Sequence, residues 1–154
     1  MGSEIERKFL VAPAWRPPGE GVRFTQGYLS TVPERVVRVR LEGESAKLTI
    51  KGKTQGITRQ ELEYEIPASD APALFALCEQ PLIEKDRYRV EHDGKTWEVD
   101  VFHGDNEGLV VAELELASET EPFAVPPWAV EEVSHDPRYY NANLQRHPYR
   151  SWQR

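Results

Sequence analysis

Apolar and polar residues alternate with a period of two along most of this chain, and this pattern constrains the fold more than any other feature. Successive side chains of a β-strand point to opposite faces, so the alternation predicts strands with one apolar and one polar face. Short turn sequences such as Asp93-Gly94 join several of these segments and predict antiparallel hairpins. The predicted strands lie near residues 4–10, 23–30, 35–42, 46–52, 58–66, 83–91, 96–103 and 109–117.

Two further segments, near 70–79 and 136–144, begin with an aspartate and a proline and are predicted to be helices. Eight antiparallel strands joined mostly in sequence order predict a mainly β fold, a closed eight-stranded antiparallel barrel with two or more helices packed outside it. A barrel of this size has room inside for side chains and a small ligand. We expect one domain over residues 1–154, with a core at 4–144 and a flexible tail at 148–154.

Charge and composition exclude several kinds of partner. The chain has 19 Lys and Arg against 26 Asp and Glu, a formal net charge of −7, so no binding to nucleic acid is expected. No apolar run reaches the roughly 20 residues of a membrane helix, and no signal-peptide pattern is present. The single cysteine, Cys78, has no partner for an intramolecular disulfide. The sequence therefore predicts a cytoplasmic protein without a membrane partner, and a homodimer is one option for its oligomeric state.

The polar faces of the predicted strands carry charges that are sorted by sign. Carboxylates predominate on the first, fifth, seventh and eighth strands, and cations on the third, fourth and sixth. The charged faces could be solvated outside the barrel, or they could line its interior, where charges require partners or a ligand. Like charges repel along one strand, as Arg38 and Arg40 would, so the sorting favours the interior and a charged ligand. Cations would bind a polyanion, and carboxylates would bind a hard divalent cation, Mg²⁺ or Mn²⁺.

The segment Glu4-Ile5-Glu6-Arg7-Lys8 resembles the Glu-x-Glu-x-Lys signature of the CYTH family, also called the triphosphate tunnel metalloenzymes. Other segments resemble blocks of that family in the same order and extend the resemblance to about residue 144. They include Arg38-Val39-Arg40, Leu48-Thr49-Ile50-Lys51-Gly52-Lys53, Ala112-Glu113-Leu114-Glu115-Leu116 and Tyr139-Tyr140-Asn141-Ala142-Asn143-Leu144. The resemblance implies an eight-stranded tunnel that binds a triphosphate together with Mg²⁺ or Mn²⁺.

The resemblance also implies roles for individual charged residues. The residues expected to bind the triphosphate are Lys8, Arg38, Arg40, Lys51, Lys53, Arg59, Lys85 and Arg87. The residues expected to bind the metal are Glu4, Glu6, Asp100, Glu113 and Glu115. A catalytic role is expected of Lys8, Glu61 and Glu63, with the two glutamates acting on the metal or on the attacking water.

The expected reaction is the metal-dependent hydrolysis of a terminal phosphoanhydride by direct attack of water. Inorganic triphosphate is the favoured substrate, because the chain is most similar to the short bacterial inorganic triphosphatases of the family. Class IV adenylate cyclases and thiamine or nucleoside triphosphatases share the same blocks and are the alternatives within the family. The alternative that is not an enzyme is a non-catalytic module that binds polyphosphate or nucleotide.

Overall fold

The computed structural model describes residues 2–152, which form a closed antiparallel β-barrel. The strand order around the barrel is β5-β4-β3-β2-β6-β7-β8-β1, and β1 also pairs with β5, which closes the ring of eight strands. A short ninth strand, β9, pairs with the last residues of β1 outside this ring. The strands are β1 (Ser3–Val11), β2 (Val22–Ser30), β3 (Val36–Glu42), β4 (Ser45–Lys51), β5 (Thr58–Ile66), β6 (Glu79–His92), β7 (Lys95–Phe102), β8 (Val110–Glu115) and β9 (Ala129–Glu132).

The predicted barrel and its eight strands are confirmed, and three elements differ from the prediction. The helices are shorter than predicted: α1 is Ala71–Leu77, and α2 is Asn141–Arg146. Each follows a 3₁₀ turn, at Ala68–Asp70 and Pro137–Tyr139, because a proline close to the start limits which amides can donate hydrogen bonds. Strand β9 was not predicted, since its four residues are too few to show a period.

Aromatic side chains cover the outer face of the barrel where β1, β7 and β8 meet. Trp97 of β7 is fully buried there, and its ring centroid lies 5.5 Å from that of Phe9 and 5.7 Å from that of Trp128. Trp15 and Phe123 complete the layer from the loops that follow β1 and β8. Loops therefore bury the outward apolar face here, whereas α1 packs on the outer face of β2 and β3.

The segment Val133–Leu144 closes one end of the barrel. Its apolar side chains pack against inward-facing residues at the ends of the strands, such as Ile83 and Phe102, which are 2% and 1% exposed. A backbone hydrogen bond from Val133 N to Lys8 O (2.8 Å) attaches the segment to β1. The interior is therefore a pocket with one mouth, and α2 lies across its closed end.

The contact between α1 and β2 depends on a glycine. A Cβ atom added at Gly27 would lie 2.9 Å from the Cβ and Sγ atoms of Cys78 and 2.7 Å from Leu82. We expect Gly27→Ala to lower the free energy of unfolding by about 1–3 kcal/mol, because the buried neighbours must move. Urea denaturation measures this effect. Gly19→Ala is the matched control, since no atom lies within 4 Å of its added Cβ, and equal stability of the two variants would contradict the packing.

The C-terminal residues Tyr149 and Trp152 make contacts with the rest of the fold. Tyr149 N donates to Asn106 Oδ1 (2.8 Å), and the Trp152 ring lies 5.1 Å from that of Tyr139. The aromatic residues thus extend the apolar cluster behind the closed end. Residues 153 and 154 of the predicted tail lie outside the described part. Within residues 2–152, no helix has both the length and the apolar character needed to cross a membrane.

Candidate active site and metal-binding face

The inward faces of the eight strands line one cavity of about 250 Å³, with space for roughly eight water molecules. The strand order places the cation-bearing strands β4, β3 and β6 on one side, with the uncharged inner face of β2 between β3 and β6. The carboxylate-bearing strands β7, β8, β1 and β5 form the other side. The charges that were sorted by strand in the sequence are therefore two continuous walls in space, and the inward arrangement is confirmed.

The basic wall holds four cationic side chains that are almost completely removed from solvent. Arg38, Arg40, Lys85 and Arg87 are 6%, 8%, 1% and 9% exposed. Arg40 has Arg38 and Arg87 as like-charged neighbours, and burial together with these two cations lowers its pKa. Buried cations are stable only when anions lie close to them. This wall is therefore suited to a polyanion.

The acidic wall places carboxylates opposite one another. Glu6 of β1 is directly opposite Glu115 of β8, and Glu98 of β7 is opposite Glu113 of β8. Burial in the cavity, together with the negative charges of Glu113 and Glu4, raises the pKa of Glu6 to about 8. Burial and the negative charge of Glu4 also raise the pKa of Glu115. These carboxylates lack enough positive charge around them, and a divalent cation would supply it.

The donor set of this wall fits a hard cation. All of its ligand-type groups are carboxylate oxygens, which are the groups that Mg²⁺ and Mn²⁺ prefer. Within residues 2–152, no three acidic, histidine or cysteine side chains already converge closely enough to hold an ion. Several carboxylates instead pair with lysines, as Glu4 does with Lys51 (3.2 Å) and Glu113 with Lys8 (3.5 Å). Metal binding at this wall would therefore exchange lysine partners for the ion.

Glu61 and Glu63 of β5 lie at the edge of the acidic wall, next to β4 of the basic wall. Glu63 Oε2 accepts a hydrogen bond from the Thr49 hydroxyl (3.1 Å) and lies 3.6 Å from the Arg38 guanidinium. Glu61 is 3.5 Å from Lys51 Nζ, and burial together with the charge of Glu4 raises its pKa. A carboxylate with a raised pKa beside the cations is positioned to accept a proton from water.

Asp100 occupies a different position from the other acidic residues. It is 1% exposed and does not line the cavity, and both of its oxygens accept hydrogen bonds from Arg87 (2.7 and 2.9 Å). Lys85 Nζ lies 2.8 Å from the same carboxylate. Burial would raise the pKa of Asp100, but the two cations hold it well below the usual range. Burial lowers the pKa of Lys85 to about 8, although Asp100 opposes this shift.

Comparison with known proteins shows the family to which this chain belongs. The family model described as the CYTH domain matches residues 2–144. This chain belongs to the CYTH family. A relative from Acetivibrio thermocellus named inorganic triphosphatase is 47% identical over 154 residues, which cover 99% of each chain. Another of that name, from Nitrosomonas europaea, is 40% identical over 148 residues, 92% of this chain and 96% of the relative.

A solved structure supports the same grouping for this CYTH protein. The crystal structure of an inorganic triphosphatase matches it with a TM-score of 0.67 and 38% identity, covering 92% of this chain and 97% of that chain. A putative adenylate cyclase from Bacillus halodurans has a TM-score of 0.53 at 15% identity, so it shares the fold.

Most of the predicted site residues of this CYTH chain meet in the cavity, and two do not. Lys53 follows the end of β4, is exposed and lies outside the lining, whereas Asp100 lies behind it. Arg59 lines the cavity, with its Nε donating to Gly52 O (2.8 Å). The remaining predicted residues that line it are Glu4, Glu6, Lys8, Arg38, Arg40, Lys51, Glu61, Glu63, Lys85, Arg87, Glu113 and Glu115.

Several lining residues of the CYTH cavity were not assigned a role from the sequence. Strand parity alone could have identified those on strands, because their side chains alternate with apolar ones. They are Glu42, Lys47, Arg89 and Glu98. Tyr140 and Asn141 reach the cavity from the closing segment, and their only sequence signal was the family block that contains them.

The raised pKa of Glu6 predicts how the metal-free protein responds to pH. A folded-state pKa near 8 against an unfolded value of 4.5 means that the folded protein retains the proton, so stability is lost as pH rises from 4.5 to 8. Glu6→Gln removes this loss. We expect its melting temperature to match that of the wild type near pH 4.5 and to exceed it by about 5–10 °C at pH 8. Differential scanning calorimetry with chelator measures this, and a difference independent of pH would contradict it.

Proposed function

We propose that this protein hydrolyses inorganic triphosphate to pyrophosphate and phosphate in a reaction that depends on Mg²⁺ or Mn²⁺. The observation that carries the proposal is the single-mouthed cavity with a buried basic wall facing a carboxylate wall. Phosphoryl transfer requires charge neutralisation and in-line positioning more than covalent chemistry, and this cavity supplies both kinds of charge. The identity of the relatives named inorganic triphosphatase favours this substrate over others.

The two walls would bind different groups, the basic wall the phosphates and the acidic wall the metal. Arg38, Arg40, Lys51 and Arg87 would neutralise the phosphate oxygens, and the two arginines of β3 offer planar donor groups that suit them. Glu4 and Glu6 would hold the metal, with Glu113 and Glu115 from the neighbouring strand. When bound there, the ion supplies charge neutralisation at the phosphates and lowers the pKa of a coordinated water.

The ion pairs that line the cavity make joint binding of substrate and metal favourable. Lys51 is held by Glu4, and Lys8 by Glu113. A phosphate alone would take the lysines and leave buried carboxylates without partners, and a cation alone would remove a carboxylate partner from each lysine. When both bind, each lysine exchanges a carboxylate for a phosphate oxygen, and each carboxylate exchanges a lysine for the ion. The binding of either should therefore strengthen that of the other.

The hydrolytic step is assigned to side chains near the boundary of the two walls. Glu63 or Glu61 would orient the attacking water and accept its proton as the bond to the terminal phosphorus forms. Burial lowers the pKa of Lys8, but Glu113 and Glu6 outweigh it and raise the pKa overall, so its ammonium remains charged at neutral pH. That charge would stabilise the oxygen of the departing pyrophosphate. Asp100 is proposed to hold Arg87 and Lys85 in place instead of binding the metal directly.

A substrate panel tests this function. Phosphate and pyrophosphate release would be measured from inorganic triphosphate, ATP and thiamine triphosphate with Mg²⁺, with Mn²⁺ and with chelator. We expect metal-dependent release of both products from inorganic triphosphate at the highest rate. Pyrophosphate and a cyclic nucleotide from ATP alone would assign a cyclase instead, and tight binding without any release would assign a binding module.

A further inference from the structure

The segment that closes the cavity places the polar side chain of Asn141 in the cavity lining. Residues Val133–Leu144 seal the end with apolar contacts, but Asn141 turns inward and lines the cavity beside Tyr140. The function proposed above assigns this residue no role. Its amide contacts Lys85 and Gln26, and these contacts give the amide a definite orientation.

The orientation of the Asn141 amide follows from its partners. Lys85 Nζ lies 2.9 Å from Asn141 Oδ1, and Gln26 Nε2 lies 3.0 Å from the same oxygen. An ammonium group can only donate, so the atom that faces Lys85 must be the amide oxygen. The amide nitrogen, Nδ2, is then on the other branch of the side chain, and it makes no hydrogen bond within residues 2–152. Asn141 therefore has a free donor in a residue that lines the cavity.

Two lysine ammonium groups contact the segment that carries Asn141. The Lys85 ammonium is held on one side of the amide, and Lys8 Nζ, which donates to Tyr139 O (3.3 Å), approaches the same segment from β1. Lys8 Nζ is also 5.5 Å from the Tyr140 ring centroid. Behind these groups the barrel is filled by apolar side chains, including Ala142 and Leu144. The inner end of the cavity thus offers donors in front of a solid apolar floor.

We propose that Asn141 binds the innermost phosphate of the substrate and sets how deeply a phosphate chain can enter. Its Nδ2 donates to an oxygen of that phosphate, while its Oδ1 holds Lys85 against the same group. Because the floor behind it is closed, the number of phosphates between Asn141 and the metal-binding carboxylates is limited. The cavity would therefore discriminate linear phosphate chains by length, an inference that rests on the proposed use of this cavity for triphosphate.

Binding in the absence of metal tests the contact separately from hydrolysis. Titration calorimetry with inorganic triphosphate in chelator would compare the wild type with Asn141→Ala and Asn141→Asp. We expect Asn141→Ala to weaken binding about tenfold or more, since a hydrogen bond to a charged group is lost. Asn141→Asp should weaken it further because it adds a negative charge while keeping an acceptor for Lys85. Asn143→Ala is the matched control on α2, because Asn143 donates to Pro137 O (2.8 Å) and does not line the cavity.

Chain-length preference tests the second part of the proposal. With metal present, the ratio of kcat/KM for inorganic triphosphate to that for linear tetraphosphate should fall at least about fivefold in Asn141→Ala, since removing the amide deepens the cavity. The effect should lie mainly in KM. Unchanged triphosphate affinity and an unchanged ratio in a variant that melts like the wild type would overturn the proposal. If the wild type binds triphosphate but does not hydrolyse it, the proposed function fails while the binding result still decides the role of Asn141.

Discussion

Replacing Glu6 by Gln is expected to lower the rate of triphosphate hydrolysis by about three orders of magnitude while the protein stays folded. Gln keeps the size of the side chain and removes the charge that would hold the metal. The wild-type residue already lies among Glu4, Glu113 and Glu115, so the variant relieves repulsion and should not unfold. Steady-state kinetics over a range of Mg²⁺ and Mn²⁺ concentrations would measure the loss.

The control for this variant is Glu84→Gln, which removes a glutamate from the outer face of β6. Glu84 pairs with Arg23 at the surface, where both side chains are 53% exposed, so its loss should leave kcat/KM and the metal dependence unchanged. Wild-type turnover by Glu6→Gln at ordinary metal concentrations would count decisively against a metal at the acidic wall.

Removing the Asp100 carboxylate is expected to have the largest effect on stability. Asp100→Ala would leave Arg87 and Lys85 buried without their shared anion, and breaking a buried pair in this way costs about 3–5 kcal/mol. The basic wall would also lose the group that fixes both cations. Urea denaturation at pH 7 would measure the loss of stability.

The chain provides a matched surface pair for this comparison. Asp86 accepts a hydrogen bond from Arg23 at the same 2.7 Å that separates Asp100 from Arg87, but Arg23 is 53% exposed. We expect Asp86→Ala to lower the free energy of unfolding by about 1 kcal/mol or less. The milder Asp100→Asn should fold and show kcat/KM lowered about 100-fold, since the arginine loses its charged partner. Equal losses of stability in the two alanine variants would contradict the special role of Asp100.

Much of the barrel could be predicted from the sequence because alternation has a strictly local cause. Each strand shows in its own residues which side chains share a face, as Arg38 and Arg40 do against Val37 and Val39. The sorting of charges by strand was equally visible. The spatial order was not, because the pairing of β2 with β6 and of β1 with β5 joins residues far apart in sequence. That spatial order places strands of like charge next to one another, so that they form two walls.

The rest of the site depends on tertiary contacts that leave little mark on the sequence. Glu98 and Asp100 have the same parity on β7, yet only Glu98 lines the cavity, because Arg87 covers Asp100 from the neighbouring strand. The closing segment could not be placed from its residues either. Its helix was predicted to pack outside the barrel, like α1. It instead packs against apolar residues at the ends of the strands, at the closed end of the cavity.

The central claim is that the acidic wall binds the metal while the basic wall binds the phosphates. A crystal structure with Mn²⁺ and inorganic triphosphate, with anomalous scattering used to locate the manganese, tests it most directly. The account predicts manganese coordinated by Glu4 and Glu6, and phosphate oxygens contacted by Arg38, Arg40 and Arg87. Manganese bound elsewhere, or a triphosphate bound outside the cavity, would contradict it.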